Sequence, residues 1–75
     1  MVEIIKNNVS DLRAKAGATQ QELAEAVGVT RQTIIAIEKG NYTPSVMLAL
    51  KIAKFFSAQS GKKLVEDIFL IKYEK

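Results

Sequence analysis

Two short helical segments separated by a glycine occupy residues 19–40, and they restrict the possible folds of this 75-residue chain more than any other feature. Thr19 and Glu22 have the T-x-x-E spacing of a capping box, in which the hydroxyl accepts from an early helix N–H and the carboxylate accepts from the N–H of the capping residue. Gly28 then supplies the residue that most readily adopts the left-handed conformation at a helix end. Between these signals, apolar residues recur on one helical face: Leu23, Ala24 and Val27. The spacing therefore predicts a capped helix that ends in a tight turn.

A second helix is predicted to begin directly after that turn. Thr30 is a favoured N-cap residue, and Gly40 closes the segment. Ile34 and Ile37 lie about one turn apart and are expected to point toward the core. The outward face has a basic side chain and an amide at its N-terminal end, with small or apolar groups beside them: Arg31, Gln32, Thr33, Ile35 and Ala36.

This two-helix unit resembles the helix-turn-helix of the lambda-repressor/Cro (xenobiotic-response-element) family of DNA-binding regulators. The resemblance rests on the run LAEAVGVTRQTIIAIEKG, followed by NYTPS and LALKIAK. It covers residues 6–56 and resumes at 65–69, so it includes most of the chain. It implies a mainly α fold, a five-helix lambda-repressor-like DNA-binding domain that spans residues 1–75 as a single domain, with the helix-turn-helix at 19–40.

The resemblance also implies how the chain contacts double-stranded DNA. The second helix of such a unit enters the major groove, where an arginine can bond O6 and N7 of guanine and a glutamine can bond N6 and N7 of adenine. Ile35 could contact a thymine methyl or could be an exposed aliphatic side chain without a role. The expected base-contacting residues are Arg31, Gln32, Ile35 and Ala36. The expected phosphate-contacting residues are Gln20, Thr30, Thr33, Lys39, Asn41 and Tyr42.

A structural ion pair is expected between Arg13 and Glu38, because the matching arginine and glutamate pair in the family. Arg13 belongs to a first helix predicted at residues 9–16, which Asn7 or Asn8 can cap and Gly17 can end. The pair would tie that helix to the second helix of the motif.

The two ends of the chain are predicted to form short strands at about residues 2–6 and 69–73, which are rich in β-branched and aromatic residues. Because isolated short strands are unstable, we expect them to pair antiparallel with each other. A subset of the family, exemplified by the cytolysin repressor, has such strands beside a symmetric dimer interface. The expected dimer contacts are Leu64, Ile68, Leu70 and Ile71.

The segment between the fourth and fifth helices departs from the family. The fourth helix is predicted at about residues 45–56 and is apolar on more than one face, which indicates a central core position or a second surface; we favour the core. The run SAQSGKK at residues 57–63 is a longer connection than the family normally has.

Charge and composition narrow the possible functions. The net charge is +3, and residues 29–63 contain six cationic side chains and one anionic side chain. This balance suits a polyanionic partner, although a solvated lysine-rich surface would show it too. No apolar run approaches the ~20 residues of a membrane span, and the N-terminus does not resemble a signal peptide. With no cysteine in the chain, a cytoplasmic location is expected.

Enzymatic chemistry has little basis in this sequence. The chain has no histidine and no cysteine, so the usual general base and thiolate nucleophile are missing, and the serines have no partner base. We therefore expect no catalytic residues, no metal site, no cofactor and no small-molecule ligand. The favoured function is a DNA-binding transcriptional repressor that binds an inverted-repeat operator as a homodimer. The alternatives are an antitoxin or adaptor module that binds a protein partner, and a purely structural dimerisation domain.

Overall fold

The elements follow one another as strand, five helices and strand. The fold comes from a computed structural model that describes the backbone of residues 2–74, and the side chains of residues 6–59 and 61–71. The elements are β1 (Val2–Asn7), α1 (Val9–Ala16), α2 (Gln20–Val27), α3 (Arg31–Glu38), α4 (Val46–Ser60), α5 (Val65–Ile68) and β2 (Phe69–Glu74). The predicted fold class, mainly helical with paired terminal strands, is confirmed. Within the described chain, none of the helices is both long and apolar enough to cross a membrane.

The two helices of the central motif are fixed at their ends by local hydrogen bonds. At the start of α2 both bonds of the capping box are present: the Glu22 N–H donates to Thr19 Oγ1 at 3.0 Å, and the Thr19 N–H donates to Glu22 Oε1 at 2.8 Å. Thr30 Oγ1 accepts from the Thr33 N–H at 3.3 Å and caps α3. These bonds satisfy N–H groups that lack partners in the first turn of a helix.

The end of α3 is a Schellman motif. The Gly40 N–H donates to the Ile37 carbonyl and the Asn41 N–H donates to the Ala36 carbonyl, each at 2.9 Å. Gly40 has a φ of 79°, in the left-handed region that glycine adopts without a steric penalty. The turn that follows α3 is therefore set by backbone hydrogen bonds.

An apolar core lies between the helices. Its largest fully buried side chains are Phe56, Leu23, Ile34, Ile37, Ile52, Ile68 and Val9. Phe56 also contacts the ring of Phe55 edge-on, with 5.3 Å between ring centroids. Because α2, α3, α4 and α5 all contribute to this cluster, the inner face of α3 is held by the whole domain.

The fourth helix is longer than predicted. It continues through Ser60, so the predicted end near residue 56 is wrong and the connection to α5 shortens to a few residues around Gly61. Ser57 stabilises the turn that follows, because its hydroxyl accepts from the Lys63 N–H at 2.8 Å and donates to the Ala53 carbonyl at 2.8 Å. Helical propensity in the segment 57–60 and this bond across the turn explain the extension.

The terminal strands pair antiparallel, as predicted. The register runs from Asn7 opposite Phe69 to Val2 opposite Glu74. At the exit from β1, Asn7 Oδ1 accepts from the Val9 N–H at 3.1 Å, whereas the Asn8 side chain makes no capping bond. Asn7 is therefore the side chain that supports the start of α1.

Candidate nucleic-acid interface

The N-terminal half of α3 presents its polar residues to solvent. Arg31 and Gln32 are exposed, and the expected base-contacting residues Ile35 and Ala36 are half-buried beside them. The opposite face is fixed, since Ile34 and Ile37 are buried in the core. α3 thus presents a guanidinium and a carboxamide at one end of a helix whose position is set by its inner face.

The threonines near the start of α3 mainly bond each other. Thr30 is exposed and Thr33 is half-buried, and their hydroxyl oxygens lie 3.1 Å apart. Thr30 Oγ1 also caps the helix, so this hydroxyl has a structural role. The hydroxyl that accepts in the bond between the two threonines keeps its proton and could donate it to a phosphate that approaches the helix N-terminus.

The Gln20 side chain is directed partly toward Glu38 and not fully toward solvent. This side chain is half-buried, and Nε2 donates to Glu38 Oε1 at 3.0 Å. The N-terminal residue of α2 therefore contacts the C-terminal residue of α3. One amide N–H is occupied by Glu38, and the second N–H is the group with which Gln20 could donate to a phosphate.

Arg13 and Glu38 form the ion pair that joins α1 to α3. Arg13 Nε donates to Glu38 Oε2 at 2.8 Å, and Nη2 donates to Oε1 at 3.3 Å. The third Arg13 contact is from Nη1 to the Ala18 carbonyl at 3.0 Å. The side chains are only 19% and 9% exposed, so water screens this pair far less than a surface pair. Arg13 and Gln20 thus surround a carboxylate that the negative end of the α3 dipole disfavours.

The hydrogen bond that Arg13 donates to Glu38 is the main cause that raises the pKa of Arg13 above its ordinary value, and desolvation of the guanidinium opposes this shift. Because the pKa of Arg13 is higher in the folded state than in the unfolded state, its charge stabilises the fold at any pH below the unfolded-state pKa. This contribution is lost as the pH rises through the folded-state pKa. Arg13 consequently remains charged throughout the neutral range.

The turn after α3 carries three exposed polar side chains: Lys39, Asn41 and Tyr42. Their backbone is held by the Schellman bonds to Ile37 and Ala36. The expected phosphate contacts therefore fall at both ends of an eight-residue helix, about 12 Å long at 1.5 Å per residue.

The basic residues of the segment 29–63 lie on different elements. Arg31 begins α3 and Lys39 follows its last residue, whereas Lys51 and Lys54 line a separate open groove of about 470 Å³. That groove lies between α4 and the C-terminal end of α2, and no residue of α3 lines it. Among these cations, Arg31 and Lys39 are the ones that adjoin α3.

The expected dimer contacts need one correction. Leu64, Leu70 and Ile71 are exposed, but Ile68 is fully buried (0% exposed) in the core of its own domain. Ile68 is therefore a core residue, and its assignment to a dimer contact is wrong. Leu70 and Ile71 are adjacent in β2, so their side chains lie on opposite faces of the two-stranded sheet.

The sequence analysis favoured a core position for α4 over a second surface, but α4 has an exposed apolar face as well as a buried one. The members of the exposed face are Val46, Met47 and Leu50, of which Val46 is 77% exposed. Val46 also lines a small apolar groove of about 180 Å³ together with Pro44, Val65 and Phe69. This groove extends from α4 to α5 and the start of β2. The signal was present in the sequence, because α4 is apolar on more faces than one core can cover.

Among the described residues, no group of histidine, cysteine or carboxylate side chains has the arrangement of a metal site. The features that remain are a presented helix face, polar turns at both of its ends and an apolar face elsewhere on the domain.

Comparison with known proteins gives a consistent result. A profile of the helix-turn-helix family matches residues 9–58. The uncharacterised HTH-type transcriptional regulator YgzD of Bacillus subtilis (strain 168) is 53% identical over 70 residues, which is 93% of this chain and 98% of the relative. An uncharacterised HTH-type transcriptional regulator of Methanocaldococcus jannaschii is 53% identical over 66 residues, which is 88% of this chain and 92% of the relative. The cryptic phage CTXphi transcriptional repressor RstR of Vibrio cholerae is 34% identical over 64 residues, which is 85% of this chain and 57% of the repressor.

Proposed function

The chain belongs to the helix-turn-helix family of transcriptional regulators, of the lambda-repressor/Cro type, and on this premise we propose that it is a transcriptional repressor that binds an inverted-repeat operator in double-stranded DNA as a homodimer. The observation that carries the proposal is the exposure of Arg31 and Gln32 on a helix whose opposite face is buried. A helix held in this way can enter the major groove without first rearranging.

Base recognition is assigned to the outward face of α3. Arg31 donates two hydrogen bonds, to O6 and N7 of a guanine, and Gln32 forms two hydrogen bonds, with N6 and N7 of an adenine. Ile35 and Ala36, half-buried at the edge of this face, provide apolar contact for a thymine methyl. Each bidentate contact of this kind discriminates against a wrong base by about 1–3 kcal/mol.

Phosphate contacts fix the register of the domain on the duplex. Lys39, Asn41 and Tyr42 extend from the turn after α3, while Thr30, Thr33 and Gln20 lie near the starts of α3 and α2. Contacts of this kind orient the protein and add affinity for any sequence, and their strength falls as salt rises.

The homodimer is supported by apolar surface that the domain leaves uncovered. Val46, Leu50 and Ile71 are exposed, and the apolar groove beside Val46 runs to α5 and the start of β2. The revised set of contacts to a second copy is therefore Leu64, Leu70 and Ile71, with Val46 and Leu50 added and Ile68 removed. A two-fold dimer would place the two copies of α3 about 34 Å apart, one turn of DNA, which suits an inverted repeat.

The repressor assignment is supported by the Vibrio cholerae relative, which is a phage transcriptional repressor. A small dimer that occupies an operator can repress by blocking access to a promoter. Activation would need a further contact with the transcription machinery, and repression is the simpler proposal.

Selection of bound DNA from a random duplex pool tests the proposal most directly. The expected result is an enriched inverted repeat whose half-sites are centred about one helical turn apart. Arg31→Ala should cost about 1–3 kcal/mol and relax preference at one base pair in each half-site. If the selection enriched no sequence, a protein-binding role would become the better account. If a sequence was enriched but Arg31→Ala left the base preference unchanged, the assignment of Arg31 to base recognition would be wrong.

Association is tested separately by sedimentation at tens of micromolar. Val46→Asp should convert a dimer to a monomer, because it places a charge on the exposed apolar face, and an acidic residue in the first turn of α4 does not oppose the helix dipole. Ser10→Asp is the matched control, since it introduces the same charge at an exposed position in the first turn of α1. A monomeric wild-type protein at this concentration would contradict the proposed homodimer.

A further inference from the structure

The side chain of Asn7 bridges two elements that are distant in sequence. Asn7 ends β1, opposite Phe69 in the sheet, and its side chain is half-buried. Its Oδ1 accepts from the Val9 N–H at 3.1 Å, and its Nδ2 donates to the Ile37 carbonyl at 2.7 Å. One carboxamide thus supports the first turn of α1 and contacts the last turn of α3.

The receiving carbonyl belongs to the end of the recognition helix. The last four carbonyls of a helix lack partners within it and need bonds from elsewhere. The Ile37 carbonyl accepts the Gly40 N–H in the Schellman motif at 2.9 Å, and Asn7 Nδ2 supplies its second hydrogen bond. Asn7 therefore completes the C-terminal cap of α3 from a strand 30 residues away in sequence.

The same junction also reaches α5. The Asn8 N–H donates to the Ile68 carbonyl at 2.9 Å, and Asn8 Nδ2 donates to the Asp67 carbonyl at 3.2 Å. The exit of β1 is consequently bonded to the end of α5 through Asn8 and to the end of α3 through Asn7.

We propose that Asn7 is a positioning residue for DNA recognition, which fastens the C-terminal end of α3 to the terminal sheet and so sets the orientation of the recognition helix. The effect of Asn7 on DNA recognition rests on the proposed function, whereas its effect on the end of α3 does not. An amide suits this bridge because its acceptor oxygen and its donor nitrogen are separate atoms, and each bonds one of the two partners. Since β2 carries two of the proposed dimer contacts, this link also joins the dimer face to the helix that reads the bases.

Two substitutions separate this role from simple capping of α1. Asn7→Asp and Asn7→Ser each retain an oxygen that accepts from the Val9 N–H, and both are favoured caps. Each removes the amide N–H that donates to the Ile37 carbonyl. Aspartate leaves an anionic oxygen there, and serine leaves only a hydroxyl that is attached one bond nearer the backbone. Asn8→Ser is the matched control, because it removes a side-chain bond at the same junction that does not involve α3.

The first measurement needs no DNA. By NMR-detected hydrogen exchange, at a temperature where all variants are folded, the Gly40 and Asn41 amides should exchange at least about tenfold faster in both Asn7 variants, which corresponds to about 1.4 kcal/mol of lost local stability. In Asn8→Ser these amides should exchange as in the wild type. Wild-type exchange in Asn7→Asp and Asn7→Ser would overturn the inference and leave Asn7 a cap of α1.

The second measurement compares the selected operator with unrelated duplex DNA of the same length. Both Asn7 variants should bind the operator about tenfold more weakly and the unrelated DNA within about twofold of wild type, because a misplaced helix loses base contacts before phosphate contacts. Equal losses on both DNAs, or equal losses in Asn8→Ser, would overturn the positioning role. If the wild-type protein selected no operator, the proposed function would fail, while the exchange of Gly40 and Asn41 would still decide whether Asn7 fastens α3.

Discussion

Removal of the Glu38 carboxylate should be among the most destabilising single changes outside the apolar core. Glu38→Ala deletes the acceptor of three donors at once: Arg13 Nε at 2.8 Å, Arg13 Nη2 at 3.3 Å and Gln20 Nε2 at 3.0 Å. Arg13 would keep its bond to the Ala18 carbonyl but would remain a largely buried cation without a counterion.

The exposed fractions of Arg13 and Glu38 determine how much free energy of unfolding the Glu38→Ala variant should lose. Exposed ion pairs contribute about 0.2–1 kcal/mol, and loss of one partner from a fully buried pair costs about 3–5 kcal/mol. With Arg13 at 19% and Glu38 at 9% exposure, the pair lies nearer the buried limit, so we expect a cost of about 2–3 kcal/mol. A domain of this size loses about 4–8 °C of melting temperature per kcal/mol, so the transition should move down by roughly 10–20 °C.

A double-mutant cycle isolates the interaction. Urea unfolding of the wild type, Arg13→Ala, Glu38→Ala and the double variant gives a coupling free energy, which we expect to be about 1.5–2 kcal/mol. The slope of the free energy of unfolding against urea should not change, because the folded core is the same. Raising the salt from low to molar concentration should reduce the coupling little, since the pair is mostly withdrawn from solvent.

The exposed contact between Gln21 Nε2 and Glu25 Oε2, at 2.9 Å, provides the matched control for that cycle. Both side chains lie on one exposed helix face at i, i+4 spacing, where such a pair contributes about 0.2–0.5 kcal/mol. A coupling between Arg13 and Glu38 no larger than that of the control would refute the view that this pair holds α3 against α1.

Five further substitutions, at four positions, test the local structure and the correction to the dimer contacts. Ser57→Ala should cost about 1–2 kcal/mol in urea unfolding, because it leaves the Lys63 N–H without its acceptor. Gly40→Ala should cost about 1–2 kcal/mol from its φ of 79° alone, since an added Cβ would meet no atom within 4 Å, and Gly40→Asn should cost less. Ile68→Ala should cost about 2–5 kcal/mol in unfolding because it empties a buried site, whereas Ile71→Ala, 60% exposed in the monomer, should weaken association and barely change the stability of the monomer.

The sequence was sufficient to predict the helix ends that depend on hydrogen bonds between neighbouring residues. The Thr19–Glu22 capping box, the Thr30 cap and the glycine at residue 40 act on neighbouring backbone groups, so their spacing alone predicts where α2 and α3 begin and end. The terminal strands followed from composition and from the instability of an unpaired strand. The end of α4 was missed because it depends on the Ser57 bond to Lys63 across the turn, which spacing does not reveal.

The candidate site could be predicted only in part, for a related reason. Periodicity indicates which side of α3 faces outward, but it does not show that Gln20 turns toward Glu38 or that Asn7 reaches the Ile37 carbonyl. Those contacts join residues 18 and 30 positions apart, and only the packed fold brings them together. Ile68 and Ile71 look alike in the sequence, yet one fills the core and the other is exposed on the sheet.

The way α3 is held makes its orientation a property of the whole domain. An isolated helix of eight residues is not stable in water, so α3 depends on tertiary contacts for its existence as well as its direction. Ile34 and Ile37 fix its inner face, and Glu38 and the Ile37 carbonyl fix its C-terminal end through Arg13, Gln20 and Asn7. The N-terminal end, with Arg31 and Gln32, is left exposed. Substitutions of Asn7, Arg13 or Glu38 should therefore reduce base discrimination although none of these residues is assigned a contact with DNA. Substitutions of Arg31 or Gln32 should change which base is preferred without changing stability.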